Sequence, residues 1–410
     1  MGMAGLWTRN FGLYFVARSV ALLGDAILPV AVALAVRGAG YGDSGVGLVL
    51  AAWMGPFAAL LLFGGVFADR FTARRMMIGA DLVRVATQTV VAVALLTGRP
   101  SLWLLLVMSA LAGSAAAMFQ PGVASTVPRV AADVQRANAT LRVADAGAQL
   151  LGPVLAATLT AAFGAGVVYL LNAGTFAISA ACLVALRLGP APVVARGASM
   201  LRDLREGWYE FRSRSWMWSV ILIWAGYGVL LFGPIYPLGS GLVTERLGEH
   251  AYGFTMSALG AGTVVGGLVA MRYRPARPLA AGAVALLGFA MIPLTYATHA
   301  PLGLLLGGHA VGGAAWAFWS VMWATSVQTQ VPPDVLNRVS AYEIAGSVGT
   351  VPIGQALAGP AAALFGAESV LGVGAAVGVA GCLVLLAVPG IRGLRRAPDP
   401  CPPVPAAQPA

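Results

Sequence analysis

The sequence contains no lysine, and its 25 basic residues are all arginine. Charge of any kind is scarce, at 10% of 410 residues, while 59% are hydrophobic. A soluble globular chain carries about 25% charged residues, so this composition excludes that class and indicates a polytopic helical membrane protein. Histidine occurs only at His250, His299 and His309, with no HExxH or GxSxG pattern, so an intramembrane enzyme lacks its machinery and no enzymatic activity is expected. Cys182, Cys382 and Cys401 have neither zinc-site spacing nor a disulfide framework. No metal and no cofactor are expected. The net charge of +10 is therefore read by position, as topology and contact with anionic membrane lipid, and no nucleic-acid partner is expected.

What the chain does have is long apolar runs. One crossing needs roughly 20 apolar residues. Cut at glycine, proline and charged turns, the runs give twelve spans: 11–36, 45–67, 76–97, 101–123, 140–163, 166–188, 216–243, 251–271, 278–298, 301–328, 340–365 and 369–388. Two divisions lie in uncharged sequence, at 163–166 and near 299–301. The first span is too long for a signal-peptide core and is expected to be retained. Of the arginines, 21 fall on one side and only Arg37, Arg99 and Arg246 on the other, with Arg18 inside the first span. The arginine-rich side is expected to be cytoplasmic, with both termini there, in the cell inner (plasma) membrane.

The expected domains are a six-helix half at 1–188, a cytoplasmic linker at 189–215, a second six-helix half at 216–389, and a disordered proline-rich cytoplasmic tail at 390–410. In the linker, Leu201, Leu204, Trp208 and Phe211 recur at helical spacing opposite a charged face, as in a helix lying on the membrane surface. The halves look like copies. Gly65-Val-Phe-Ala-Asp69-Arg70 returns 202 residues later as Gly267-Leu-Val-Ala-Met271-Arg272. Arg136 with Arg338, and Gly152 with Gly354, have the same offset. Parallel repeats of this kind are found in one large class of secondary transporters.

Gly65 and Asp69 share a helix face, so a neighbouring helix can approach at the glycine while the carboxylate waits one turn on. Together with Arg70, Arg74 and Arg75 they resemble the loop signature of the major facilitator superfamily, although Thr72 and Ala73 depart from it. Asp81-Leu-Val-Arg84, Phe119-Gln120-Pro121, Arg136-Ala-Asn138 and Gly152-Pro153 resemble its drug and siderophore exporter branch, which includes macrolide-efflux and enterobactin-export proteins. The resemblance implies an all-α fold of twelve membrane helices in two pseudo-symmetric six-helix halves. It further implies a secondary active, monomeric transporter of a small molecule, exchanging an amphipathic substrate against protons. A proton-coupled uptake symporter and a non-transporting membrane assembly protein stay open as alternatives. The resemblance assigns Gly65, Asp69, Arg70, Arg74, Arg75, Asp81, Arg84, Arg136, Arg272 and Arg338 to a cytoplasmic gating latch. Gly152 and Pro153 resemble an antiporter helix-packing motif whose last two glycines are here Ala156 and Ala157.

Ionisable groups at membrane depth are costly and tend to face a cavity. Asp25, near the middle of the first span, is the candidate proton carrier, because loss of water favours the neutral carboxyl. Arg18 shares its face but lies seven residues away, about 10 Å along the axis, too far for a direct pair. Asp145 and Glu343 are expected at cytoplasmic latch contacts. His309, Trp316, Trp319 and Trp323 form one stripe of span ten. In the family fold spans one, four, seven and ten line the cavity, so this stripe with Tyr227, Met118, Phe119 and Gln120 is the expected substrate chamber.

Overall fold

The computed structural model describes residues 7–61, 72–131, 134–188, 208–331, 339, 342–343 and 346–396. Among the described residues every regular element is helical. Lipid offers a backbone no hydrogen bonds, and helices meet that demand within each segment. The spans are α1 (Arg9–Gly38), α2 (Gly42–Leu61), α3 (Ala73–Thr97), α4 (Leu102–Val130), α5 (Val134–Phe163) and α6 (Ala165–Ala185), followed by α7 (Ser215–Leu247), α8 (Glu249–Arg272), α9 (Pro278–Ala297), α10 (Leu302–Gln330), α11 (Val351–Phe365) and α12 (Ala367–Ala387). Twelve helices are long and apolar enough to cross a membrane, as the hydropathy reading expected.

The two divisions placed in uncharged sequence are real breaks. Gly164 starts α6 at φ +82° and His299 separates α9 from α10 at φ +50°. Gly366, which is 202 residues after Gly164, starts α12 at the same φ of +82°. Only glycine adopts that region without steric cost.

Packing repeats in the same register. In the first six helices α1 packs on α5 and α6, α2 on α4, and α3 on α4 and α6. Six helices later α7 packs on α11 and α12, α8 on α10, and α9 on α10 and α12. The two sets meet through α2 against α11 and α5 against α8. The same pairs of glycines set the spacing: a Cβ on Gly152 would lie 2.7 Å from Ala26 Cβ, and one on Gly354 would lie 2.4 Å from the carbonyl oxygen of Gly228. Ala26 and Gly228 are themselves 202 apart, so the offset seen in the motifs is also the offset of the helix crossings. Where Ala156 and Ala157 replace glycine in α5, the space comes from α8, because a Cβ on Gly253 would meet Ala157 Cβ at 2.5 Å.

The outward surface carries Leu82, Trp103, Leu222, Leu268 and Leu364, all more than half exposed. In water this would be a large association patch, whereas in a bilayer it is the solvent-facing side. In α7 a π-helical turn, Gly228–Phe232, interrupts the helix at the crossing with α11, whose preceding turn at 349–350 is likewise not helical. Of the expected amphipathic linker helix, Leu201 and Leu204 lie outside the described residues. Phe211 is buried and stacks 5.9 Å from Trp208, and both rings pack on Tyr342, so this end of the linker rests on protein.

Candidate functional site

Two of the cavities between the helices bear on the site. One, about 310 Å³, is walled by α1 to α6, and its lining includes Arg18, Asp25, Arg84 and Gln120. The other, about 770 Å³, is walled by α1, α2, α5, α7, α8, α9, α10 and α11. They share a wall at Pro29, Asp145 and Gln149. Their sizes lie in the range of small-molecule sites.

The smaller cavity holds an ion cluster on α1 and α3. Arg84 lies eleven residues into α3, about 16 Å from its start, and is 5% exposed. Its Nη2 is 3.2 Å from Asp25 Oδ1, and the Asp25 side chain remains 32% exposed to the cavity. Its Nη1 is 3.9 Å from Oδ1 of Asp81, which is fully buried and accepts from Ser179 Oγ at 2.6 Å. Aromatic faces complete the seat, with Arg84 over Phe176 at 4.5 Å and both Arg84 and Arg18 over Phe119 at 5.6 Å. Two arginines thus face two carboxylates, which keeps the fully ionised cluster neutral at membrane depth.

This placement corrects the expectation for Asp81 and Arg84. α3 turns both inward, and the buried Arg84 guanidinium meets the Asp25 carboxylate of α1 in the cavity that both line. Asp25 therefore has a cation neighbour from another span. Arg74 donates from Nε to the Leu183 carbonyl at 2.8 Å and also reaches Val184, so it caps the end of α6 within its own set of helices. Arg75 and Arg272 are exposed. Gly65, Asp69, Arg70 and Arg338, with the side chain of Arg136, lie outside the described residues.

The larger cavity is aromatic. Trp224 stacks on Trp319 at 5.1 Å, Trp319 on Trp323 at 6.1 Å, and Trp316 meets Phe232 at 5.4 Å. Trp323 Nε1 donates to Glu343 Oε1 at 2.7 Å. His309, Trp316, Trp319 and Trp323 all line this space. His309 is fully buried and its hydrogen is placed by its partners. The Leu305 carbonyl can only accept, so Nδ1 donates to it at 2.8 Å, and in the neutral ring Nε2 accepts from the Tyr296 hydroxyl at 2.9 Å.

The expected chamber is corrected at three positions. Tyr227 points away, donating to the Gly378 carbonyl in α12 at 2.7 Å. Phe119 is 2% exposed and sits beneath the arginines. Met118 is half-buried and lies on neither cavity wall. Asp145 and Glu343, expected at latch contacts, both line the larger cavity. Sequence reasoning passed over Trp224 and Gln149. It also passed over Gln355, which is 5% exposed in the wall of the larger cavity. A lone amide in an apolar run was the available signal.

The far end of the cavities, where α1 meets α2 and α7, is held by charge. Arg37 donates to Asp43 and to Glu245, the second of which lies beyond the linker.

The model of the Major Facilitator Superfamily matches residues 14–352, most of the chain. The chain belongs to this superfamily. The MFS-type transporter YvqJ of Bacillus subtilis (strain 168) is 26% identical over 93% of this chain and 93% of its own length. Macrolide efflux protein A of Streptococcus pyogenes is 22% identical over 86% of this chain and 89% of its own. Among solved structures, the nucleoside transporter NupG superposes with a TM-score of 0.72 over 93% of this chain and 98% of that one, at 14% identity. A POT family transporter in complex with a thioalcohol-conjugated peptide gives 0.72 over 92% and 96%, at 12% identity. At such identities the superpositions speak for the fold alone. The chain is a multi-pass membrane transporter with a small-molecule substrate.

Proposed function

We propose that this superfamily member is a proton-coupled exporter of an amphipathic small molecule, working by alternating access as a monomer in the cell inner (plasma) membrane, with both termini cytoplasmic. The observation that carries the reading is the Asp25 carboxylate, which faces a cavity, is paired with a buried arginine and lies beside a separate aromatic chamber. The similarity to a macrolide efflux protein favours export over uptake, and the arginine asymmetry favours the orientation.

The cluster supplies a physical route for coupling. Protonation of Asp25 removes the charge that holds Arg84 Nη2. Arg84 Nη1 and Asp81 Oδ1, 3.9 Å apart, each lack a hydrogen-bond partner among the described residues. A small rotation of the guanidinium toward Asp81 would satisfy both, so Arg84 has two seats and the proton chooses between them. The Gly65–Arg75 signature, with Arg136, Arg272 and Arg338, would then gate the cytoplasmic side.

The test is transport in proteoliposomes with an imposed pH gradient and a panel of macrolides and other amphipathic compounds. Wild-type protein should accumulate one of them against its gradient. Asp25→Asn should abolish accumulation while retaining downhill exchange. Active transport by that variant, at wild-type rate and with unchanged pH dependence, would remove Asp25 from the mechanism.

A further inference from the structure

Charge is divided unevenly between the two cavities. Arg18 and Arg84 line the smaller one, whereas the described lining of the larger one contains Asp145 and Glu343 and no arginine. Glu343 is built into the aromatic wall, since its Oε1 takes the indole N–H of Trp323, whose ring lies within 15° of parallel to Trp319. A carboxylate offers about four acceptor sites, so one indole bond leaves capacity for a guest. The negative faces of the stacked indoles and the carboxylate attract the same sign of charge.

We infer that the larger chamber is a subsite for amphipathic organic cations, in which Glu343 sets the charge preference and the Trp224, Trp316, Trp319 and Trp323 faces take the apolar body. This rests on the transport reading for its purpose, but its test needs no gradient. The proton site and the cation site are then distinct, in the smaller and larger cavity respectively, with Asp145 and Gln149 between them.

The probes are tetraphenylphosphonium and the uncharged triphenylphosphine oxide, aromatic phosphorus compounds of similar bulk. Equilibrium binding to the purified full chain is followed by quenching of tryptophan fluorescence. Wild-type protein should bind the cation at least about tenfold more tightly than the oxide. Glu343→Gln, which keeps an acceptor for Trp323, should remove most of that preference and leave oxide binding nearly unchanged. Trp319→Leu should weaken both probes and keep their ratio. Equal affinity of wild-type protein for the two probes overturns the inference without any variant, and so does a full cation preference in a well-folded Glu343→Gln. If the cation preference holds but Asp25→Asn still transports actively, the subsite stands and the coupling reading falls. If transport depends on Asp25 while the probes bind alike, the subsite alone falls.

Discussion

Removing Arg84 should be the most damaging single change in the ion cluster, and removing Asp81 with it should repair much of the harm. Asp81 is fully buried, with Ser179 as its hydrogen-bond donor and Arg84 Nη1 at 3.9 Å. At an effective dielectric of about 20, a pair of unit charges at that separation attract by about 4 kcal/mol. Arg84→Met leaves this charge to Ser179 and the more distant Arg18. Orphaning a buried partner costs about 3–5 kcal/mol, or else the carboxyl takes up a proton. Asp25 contributes less, because its side chain is 32% exposed and water screens it. Asp81→Asn keeps the Ser179 contact and leaves Arg84 with Asp25, so its cost should be about 1 kcal/mol. The double variant Asp81→Asn/Arg84→Met has no buried orphan and should recover about 2 kcal/mol relative to Arg84→Met. The measurement is a double-mutant cycle of unfolding in mixed micelles. A double variant no more stable than Arg84→Met would show that the two side chains do not share a charge balance.

The helix crossings predict unequal tolerance of alanine at equivalent glycines. Gly152→Ala should cost about 1–3 kcal/mol by overpacking and be partly rescued by Ala26→Gly, which removes the Cβ met at 2.7 Å. Gly354→Ala would meet the Gly228 and Val229 carbonyl oxygens at 2.4 and 2.5 Å, so no side chain can be trimmed to relieve it, and thermal unfolding should show a larger loss without rescue. At the other end of the cavities, Arg37→Gln releases Asp43 and Glu245. Two partly exposed pairs are worth about 1 kcal/mol together, which shifts a two-state equilibrium roughly fivefold. Spin labels at Thr97 and Leu247 should report a larger population of long distances, and an unchanged distribution would show that these pairs do not hold the halves together.

The hydropathy and the glycines made the fold legible because lipid imposes a single backbone solution and a fixed length. The 202-residue offset was legible for a related reason: Gly152 and Gly354 occur where two backbones touch, and no larger side chain fits there. The ion cluster was hidden by helix rotation. Asp81 and Arg84 stand early in α3, where positive-inside reasoning places an arginine at the membrane surface, and nothing in α3 alone reveals that α1 turns Asp25 toward it. Trp224 was hidden differently, since α7 is apolar all round and shows no contrast between faces, while the π-helical turn at Gly228–Phe232 shifts its register. Tyr227 was misplaced by the same helix: one position on from Gly226, it faces α12 and not the chamber.

The repeat also shows how the two halves came to differ. The Gly152–Ala26 and Gly354–Gly228 crossings coincide at the offset of 202, which sets the register of α1 with α7 and of α5 with α11, whereas α4 and α10, both 29 residues long, start at Leu102 and Leu302 and align at 200. Arg18, Asp25, Asp81 and Arg84 correspond to Val220, Tyr227, Ala283 and Leu286, so no member of the charged cluster has a charged counterpart. At an offset of 200 Trp316, Trp319 and Trp323 correspond to Ala116, Phe119 and Val123, and at 202 Glu343 corresponds to Leu141, so of the aromatic box only Trp319 has an aromatic counterpart. The shared wall is α1 and α5, which carry Asp25 and Asp145 and reach both cavities. On the proposed reading, the proton meets Asp25 on α1, while the guest meets Trp224 on α7, the tryptophans of α10 and Glu343 across the shared wall. Their mutual influence passes through that wall, and by reciprocity a bound guest shifts the proton affinity of Asp25 by the same factor that the proton shifts guest affinity.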